Sequence, residues 1–106
     1  MEDCIFCKIR DREIAKEFTY EDGDVMVFPD IHPLKPTHLL IVPKVHVEDF
    51  SEFNDMELMA KTKNIINKMI ADKMGESGYR ISINGGGAQA VRHVHFHLMG
   101  PVSQTE

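Results

Sequence analysis

Three histidines spaced two apart, His93, His95 and His97, alternate with Val94, Phe96 and Leu98 near the end of this 106-residue chain. No other stretch limits the fold so tightly. Successive side chains on a β-strand point to opposite faces, so a strand over residues 92–100 carries three imidazoles on one side and three apolar groups on the other. Neighbouring rings then start about 7 Å apart, close enough to share one phosphate-sized group. The apolar face is expected in the core and the histidine face out of it. An exposed histidine stripe or a tag-like metal binder is the alternative, but tags lack interleaved apolar residues and lie at termini.

Turn residues divide the rest of the chain into short strands and one long helix. Asp3 is placed to cap a short helix carrying Cys4, Ile5, Phe6, Cys7 and Ile9, in which the two thiols share a face. Residues 17–21 and 24–28 flank Asp22-Gly23, which predicts a hairpin with a two-residue type I′ turn. Pro29, Pro33 and Pro36 interrupt regular structure, so Asp30, Ile31 and His32 belong to a loop. Residues 38–42, ended by Pro43, read as a strand buried on both faces. Asn54 as cap, Glu57 three residues on, and Phe53 set to staple against Leu58 predict a helix of about twenty residues, stopped by Gly75. Its buried stripe is Leu58, Met59, Thr62, Ile65, Ile66, Met69 and Ile70. Tyr79, Ile81 and Ile83 then alternate with Arg80, Ser82 and Asn84 in a half-buried strand before Gly85-Gly86-Gly87. Runs of strands around one long helix predict an α+β fold with an antiparallel sheet, residues 1–106 forming a single domain.

Charge and length narrow the function classes. Twelve basic against seventeen acidic residues give a net charge of −5, with no lysine or arginine run to track phosphates. General nucleic-acid binding is therefore not expected. No signal peptide or membrane-spanning run is read, which points to the cytoplasm. In that compartment a C-x-x-C pair, Cys4 and Cys7, argues for a metal or redox thiol pair rather than a structural disulfide. A tetrahedral zinc site would need two further ligands, for which histidines are available. Thioredoxin-like use fits less well because the motif opens the chain instead of following a strand, and an unligated reduced pair remains open. A chain this small also gains from burying a shared interface, so a homodimer is plausible.

Imidazole can act as nucleophile, acid or phosphate donor near neutral pH, so several facing one cleft suggest transfer of a phosphorus centre. The glycine run could bring backbone N–H groups close to such a phosphate, although three glycines commonly form an ordinary loop.

The stretch His93-Val94-His95-Phe96-His97-Leu98-Met99 is a full match to the motif of the histidine triad (HIT) family, His-φ-His-φ-His-φ-φ with φ apolar. The resemblance extends through Cys4-Ile5-Phe6-Cys7-Lys8-Ile9, Phe28-Pro29-Asp30-Ile31 and Pro36-Thr37-His38, and looks closest to the small Hint-type branch. It implies an antiparallel sheet of about five strands with one long and one short helix. It also implies that His95 is the nucleophile, forming a nucleotidyl-imidazole intermediate that water then cleaves. His97 would hold phosphate oxygens, His93 would orient the array, and His38 matches a family histidine facing the triad, with a merely structural role open to it. Asp30 resembles the acid that binds ribose hydroxyls. Ile5, Phe6, Ile9, Phe28 and Ile31 resemble the apolar walls around a purine, although each suits ordinary core. Asn84 and Gln89 resemble residues near the phosphate. In zinc-bearing relatives, histidines matching His46 and His93 complete the site begun by Cys4 and Cys7.

The implied activity is that of a nucleotide hydrolase or transferase cleaving the phosphate bond of purine nucleoside monophosphate conjugates, and the implied assembly is a homodimer. Dinucleoside polyphosphate hydrolysis is the alternative within enzymes. A zinc-stabilised adaptor that binds nucleotides with little turnover is the alternative outside them. One departure stands out: Ala90 occupies a position where relatives usually carry serine or threonine.

Overall fold

The strand Thr37–Pro43 lies at the centre of the sheet, and its apolar residues explain why both sheet faces are covered. A computed structural model describes residues 3–104. In chain order the elements are α1 (Ile5–Arg10), β1 (Tyr20–Glu21), β2 (Val25–Pro29), β3 (Thr37–Pro43), α2 (Met56–Lys73), β4 (Arg80–Ser82) and β5 (Phe96–Gly100). The five strands form one sheet in the order β1-β2-β3-β5-β4, every neighbouring pair antiparallel. The fold is therefore α+β, a five-stranded antiparallel sheet with one long and one short helix.

Alternation along β2, β3 and β5 sorts residues between two cores. Val25, Val27, Leu39, Ile41, Phe96 and Leu98 face α2 and pack with its Ile66 and Met69. Met26, Phe28, Leu40 and Val42 face the other way and pack against Phe6, Cys7 and Ile9 of α1. Burying a side chain such as Phe28, 2% exposed, contributes roughly 1.5–3 kcal/mol. Thr62 is buried within α2 because its hydroxyl donates to the Leu58 carbonyl at 2.8 Å. Among the described residues no helix is long and apolar enough to cross a membrane.

Local signals shift at several ends. Cys4, not Asp3, caps α1: it is extended, and its Sγ accepts the Cys7 N–H at 3.4 Å. Asp55, not Asn54, caps α2, its carboxylate accepting the Leu58 N–H at 3.0 Å. Gly75 ends that helix with φ +56°. The β1–β2 hairpin forms, with Tyr20 opposite Val27 and Glu21 opposite Met26. Its turn is not type I′, because Gly23 has no positive φ. Instead the Asp22 carboxylate accepts the N–H groups of Asp24 at 2.7 Å and Val25 at 2.8 Å, holding the turn from its side chain. β4 is an edge strand that starts only at Arg80, and Tyr79 before it and Ile81 within it are exposed rather than half-buried as expected, because no described element covers that edge.

Candidate active site and metal centre

The regular ladder of β5 begins only at Phe96, yet the alternation holds back to His93: Val94, Phe96 and Leu98 enter the α2-side core. The three histidines lie on the α1 side. Contrary to the expectation for an imidazole face, His93 is 0% and His95 4% exposed. Two things allow this. The Phe6 ring meets both edge-on, at centroid distances of 5.8 Å from His93 and 5.0 Å from His95. Backbone carbonyls accept the ring N–H groups, His93 Nε2 donating to Pro43 at 2.7 Å and His95 Nδ1 to the His93 carbonyl at 2.7 Å.

These bonds decide the tautomers, since a carbonyl only accepts. His95 carries its proton on Nδ1, so its Nε2 keeps a lone pair. The Leu34 N–H donates to His38 Nδ1 at 3.0 Å, so the His38 proton sits on Nε2, which lies 2.9 Å from His97 Nδ1. His97 Nδ1 therefore accepts and His97 Nε2 carries the hydrogen. That Nε2 is buried and has no hydrogen-bond partner among the described residues. Burial lowers the pKa of His97, with His95 and then His38 adding to it, and burial lowers that of His95 as well. Both rings are thus neutral near pH 7, 5.1 Å apart between centroids. One presents a lone pair and its neighbour an unpaired donor.

A cleft of about 270 Å³ opens on these two rings, walled by Phe6, Ile9, Phe28 and Ile31, with Asp30, Asn84 and Ala90 also at its lining. Phe28, Leu40 and His97 stand in register across β2, β3 and β5. At about 4.8 Å per strand, the aromatic end lies about 10 Å from the histidine end. Asp30 Oδ1 accepts the His32 N–H at 2.8 Å, while its Oδ2 approaches His38 Nε2 at 3.5 Å. Asp30, His38 and His97 also have the spacing of a metal group. The Leu34 amide opposes that use, because it leaves His38 Nε2 protonated and without a lone pair to give.

Some expected residues do not reach the cleft. His38 stands behind His97, and Gln89 Nε2 donates to the Glu48 carbonyl at 2.6 Å. The glycine run is turned away too: the Gly86 N–H donates to Asp49 Oδ1 at 2.7 Å, so a carboxylate already holds the group expected to meet a phosphate. Hydrogen bonds from Ser51 and Gly86 draw the Asp49 carboxyl down to about 2. Five residues that sequence reasoning did not place there, Lys16, Pro29, His32, Leu40 and Val91, line the cleft. Their chain positions carried no signal of it beyond the apolar pattern at Leu40.

A second cluster, Cys4, Cys7, His46 and His93, gathers ligands from three separate segments of the chain. Cys4 Sγ lies 3.4 Å and Cys7 Sγ 3.6 Å from His93 Nδ1; Cys7 Sγ lies 3.3 Å and His93 Nδ1 3.2 Å from His46 Nδ1. A tetrahedral zinc with Zn–S of about 2.3 Å and Zn–N of about 2.05 Å has S···N edges of about 3.6 Å and an N···N edge of about 3.3 Å. The four side chains fit such an ion. His93 also has the bare Nδ1 a ligand needs, because its Nε2–H goes to Pro43. Burial and then the neighbouring Cys4 push the Cys7 thiol up to about 11, the opposite of the lowered value that a reactive redox cysteine requires.

A family model described as scavenger mRNA decapping enzyme C-term binding matches residues 3–106. An uncharacterized HIT-like protein of Methanocaldococcus jannaschii is 43% identical over 99 residues, covering 91% of this chain and 77% of that protein. Two solved structures superpose closely. A HIT family hydrolase from Legionella pneumophila gives a TM-score of 0.88 at 41% identity, over 97% of this chain and 96% of the other. A HIT family hydrolase from Clostridium thermocellum gives 0.91 at 38% identity, over 100% and 96%.

Proposed function

The chain belongs to the histidine triad family, and from that premise we propose that it is a nucleotide hydrolase or transferase acting on purine nucleoside monophosphates joined through phosphate to an amine or another leaving group. The observation that carries the reading is the pairing of a bare His95 Nε2 with the unpartnered His97 Nε2–H at the end of an apolar cleft. His95 Nε2 attacks phosphorus, the bond to the leaving group breaks, and the departing group takes up a proton. His97 donates to a phosphate oxygen, where charge develops. Water then attacks the same phosphorus and releases His95. In this reading His93 orients the nucleophile through its carbonyl, and His38 fixes the tautomer of His97. Asp30 receives ribose hydroxyls through its Oδ2, and Phe6, Ile9, Phe28 and Ile31 enclose the base. Asn84 and Ala90 flank the phosphate, with Gln89 bracing that loop.

We assign Cys4, Cys7, His46 and His93 to a structural zinc ion, which when bound cross-links α1 to the segments following β3 and preceding β5. The protein is taken to act in the cytoplasm as one domain over residues 1–106, paired as a homodimer. The pairing is supported by Ile81, 42% exposed on the edge strand β4, and Tyr79, 45% exposed just before it. Sedimentation at micromolar concentration is expected to give twice the chain mass, and a monomeric mass there contradicts the pairing.

Assaying adenosine and guanosine phosphoramidates, dinucleoside polyphosphates and activated esters side by side tests the substrate class. Phosphoramidates and esters should be cleaved with higher kcat/KM than the dinucleotides. Preferred cleavage of dinucleotides would reassign the leaving group, and turnover of none would favour the adaptor.

Ala90 gives a finer expectation. It lines the cleft without a hydroxyl to support the departing group, and loss of one such donor elsewhere costs roughly 10²- to 10³-fold. Ala90→Ser is expected to raise kcat for an AMP phosphoramidate more than for an activated AMP ester, whose better leaving group needs less help. Equal effects on the two substrates would remove Ala90 from leaving-group chemistry.

A further inference from the structure

Lys16 has no part in the mechanism above, yet it lines the same cleft, half-buried, with Nζ 5.1 Å from the centroid of Phe28. Among the described residues it makes neither a salt bridge nor a hydrogen bond. We propose that Lys16 reads the base, favouring a 6-oxopurine nucleotide, guanine or hypoxanthine, over adenine; the proposal rests on the nucleotide reading of the cleft.

Position comes first. With the phosphate at His95 and His97, the in-register row from His97 through Leu40 to Phe28 carries the base towards the aromatic end, about 10 Å away. There the walls Phe6, Ile9, Phe28 and Ile31 offer area but no hydrogen bond from their side chains. His32, exposed on the loop beyond β2, both donates and accepts, so it does not discriminate. Among the described residues Lys16 is the one ammonium lining this cleft. Its Nζ stands over the Phe28 ring, at the aromatic end where the base is placed.

Chemistry then sets the preference. An ammonium has three donors and no acceptor. Guanine and hypoxanthine present two adjacent acceptors, N7 and O6, whereas adenine presents N7 beside an amino donor at N6. The same ammonium that gains two acceptors from a 6-oxopurine meets a donor in adenine.

Calorimetric binding of GMP, IMP and AMP to the full chain and to two variants tests this. The parent protein is expected to bind GMP and IMP about tenfold more tightly than AMP. Lys16→Met keeps an unbranched side chain of similar length without the ammonium over Phe28 and should bring that ratio below twofold by weakening GMP and IMP while leaving AMP unchanged. Lys16→Gln, whose amide suits the adenine N6/N7 edge, should bring the ratio to one or below. A parent ratio within twofold, an unchanged ratio in Lys16→Met, or an equal loss for all three nucleotides overturns the assignment to Lys16 and leaves the nucleotide reading standing. Failure of the parent protein to bind any of the three at millimolar concentration overturns both.

Discussion

His95→Ala and His95→Asn are expected to lower kcat for an AMP phosphoramidate by at least about 10⁴-fold, because each removes the atom that forms the covalent bond. Losses that large arise when one member of an acting unit is deleted, and far smaller ones when a group only assists. The ring also packs edge-on against Phe6 at 5.0 Å and is 4% exposed, so the alanine variant should lose stability too. Asparagine leaves less empty space and separates the effects: its circular dichroism should match the parent while turnover stays absent. A His95→Asn enzyme retaining activity within about tenfold of the parent would contradict the assignment.

The largest effect on stability is expected from Cys7→Ala. Cys7 Sγ lies within 3.6 Å of both His46 Nδ1 and His93 Nδ1, so its loss removes one vertex of the tetrahedron. The parent protein should contain one zinc per chain by elemental analysis. The variant should contain none and melt more than about 10 °C lower, the scale set by roughly 3 kcal/mol on a domain of this size. A strong chelator should bring the parent's Tm close to that of the variant and should not affect the variant itself. Metal-free parent protein with an unchanged Tm would remove zinc from the account. The consequence reaches the chemistry through one residue: His93 holds the cluster with its ring and His95 with its carbonyl. Loosening the first therefore loosens the second.

Much of the fold was legible because alternation and turn chemistry act locally. Residues 38–42 read as doubly buried for the reason they occupy the sheet centre: their apolar side chains alternate to both faces, and no polar face is left for water. Asn54 and Asp55 both suit a helix cap, so local sequence could not separate them, and the first turn closes on the second. The histidine face was misread because polarity was weighed without its partners. Pro43 and the His93 carbonyl satisfy the ring N–H groups at 2.7 Å each, and those bonds belong to backbone paths that no spacing rule exposes. Likewise the glycine run looked free to meet a phosphate until the fold brought Asp49 beneath Gly86.

The two clusters differed in legibility for a related reason. Residue type singles out Cys4 and Cys7 and leaves the two histidines open among six; the family resemblance points to His46 and His93, and the four donor atoms do meet. Lys16 is common chemistry at an unremarkable position, and only the path of the segment between α1 and β1 brings it to Phe28. The tautomer of His38 lay further from sight, since it depends on a single backbone N–H, that of Leu34.

The proposed reaction requires a covalent bond between His95 Nε2 and the nucleotide phosphorus. The parent protein should be mixed with a stoichiometric amount of activated AMP ester labelled at phosphorus, quenched in alkaline denaturant within one turnover, and digested for mass spectrometry. Acid-labile label is expected on the peptide containing His95, absent in His95→Asn and formed no more slowly than product. Product formation without labelled protein, or label on another residue that survives in His95→Asn, would contradict it.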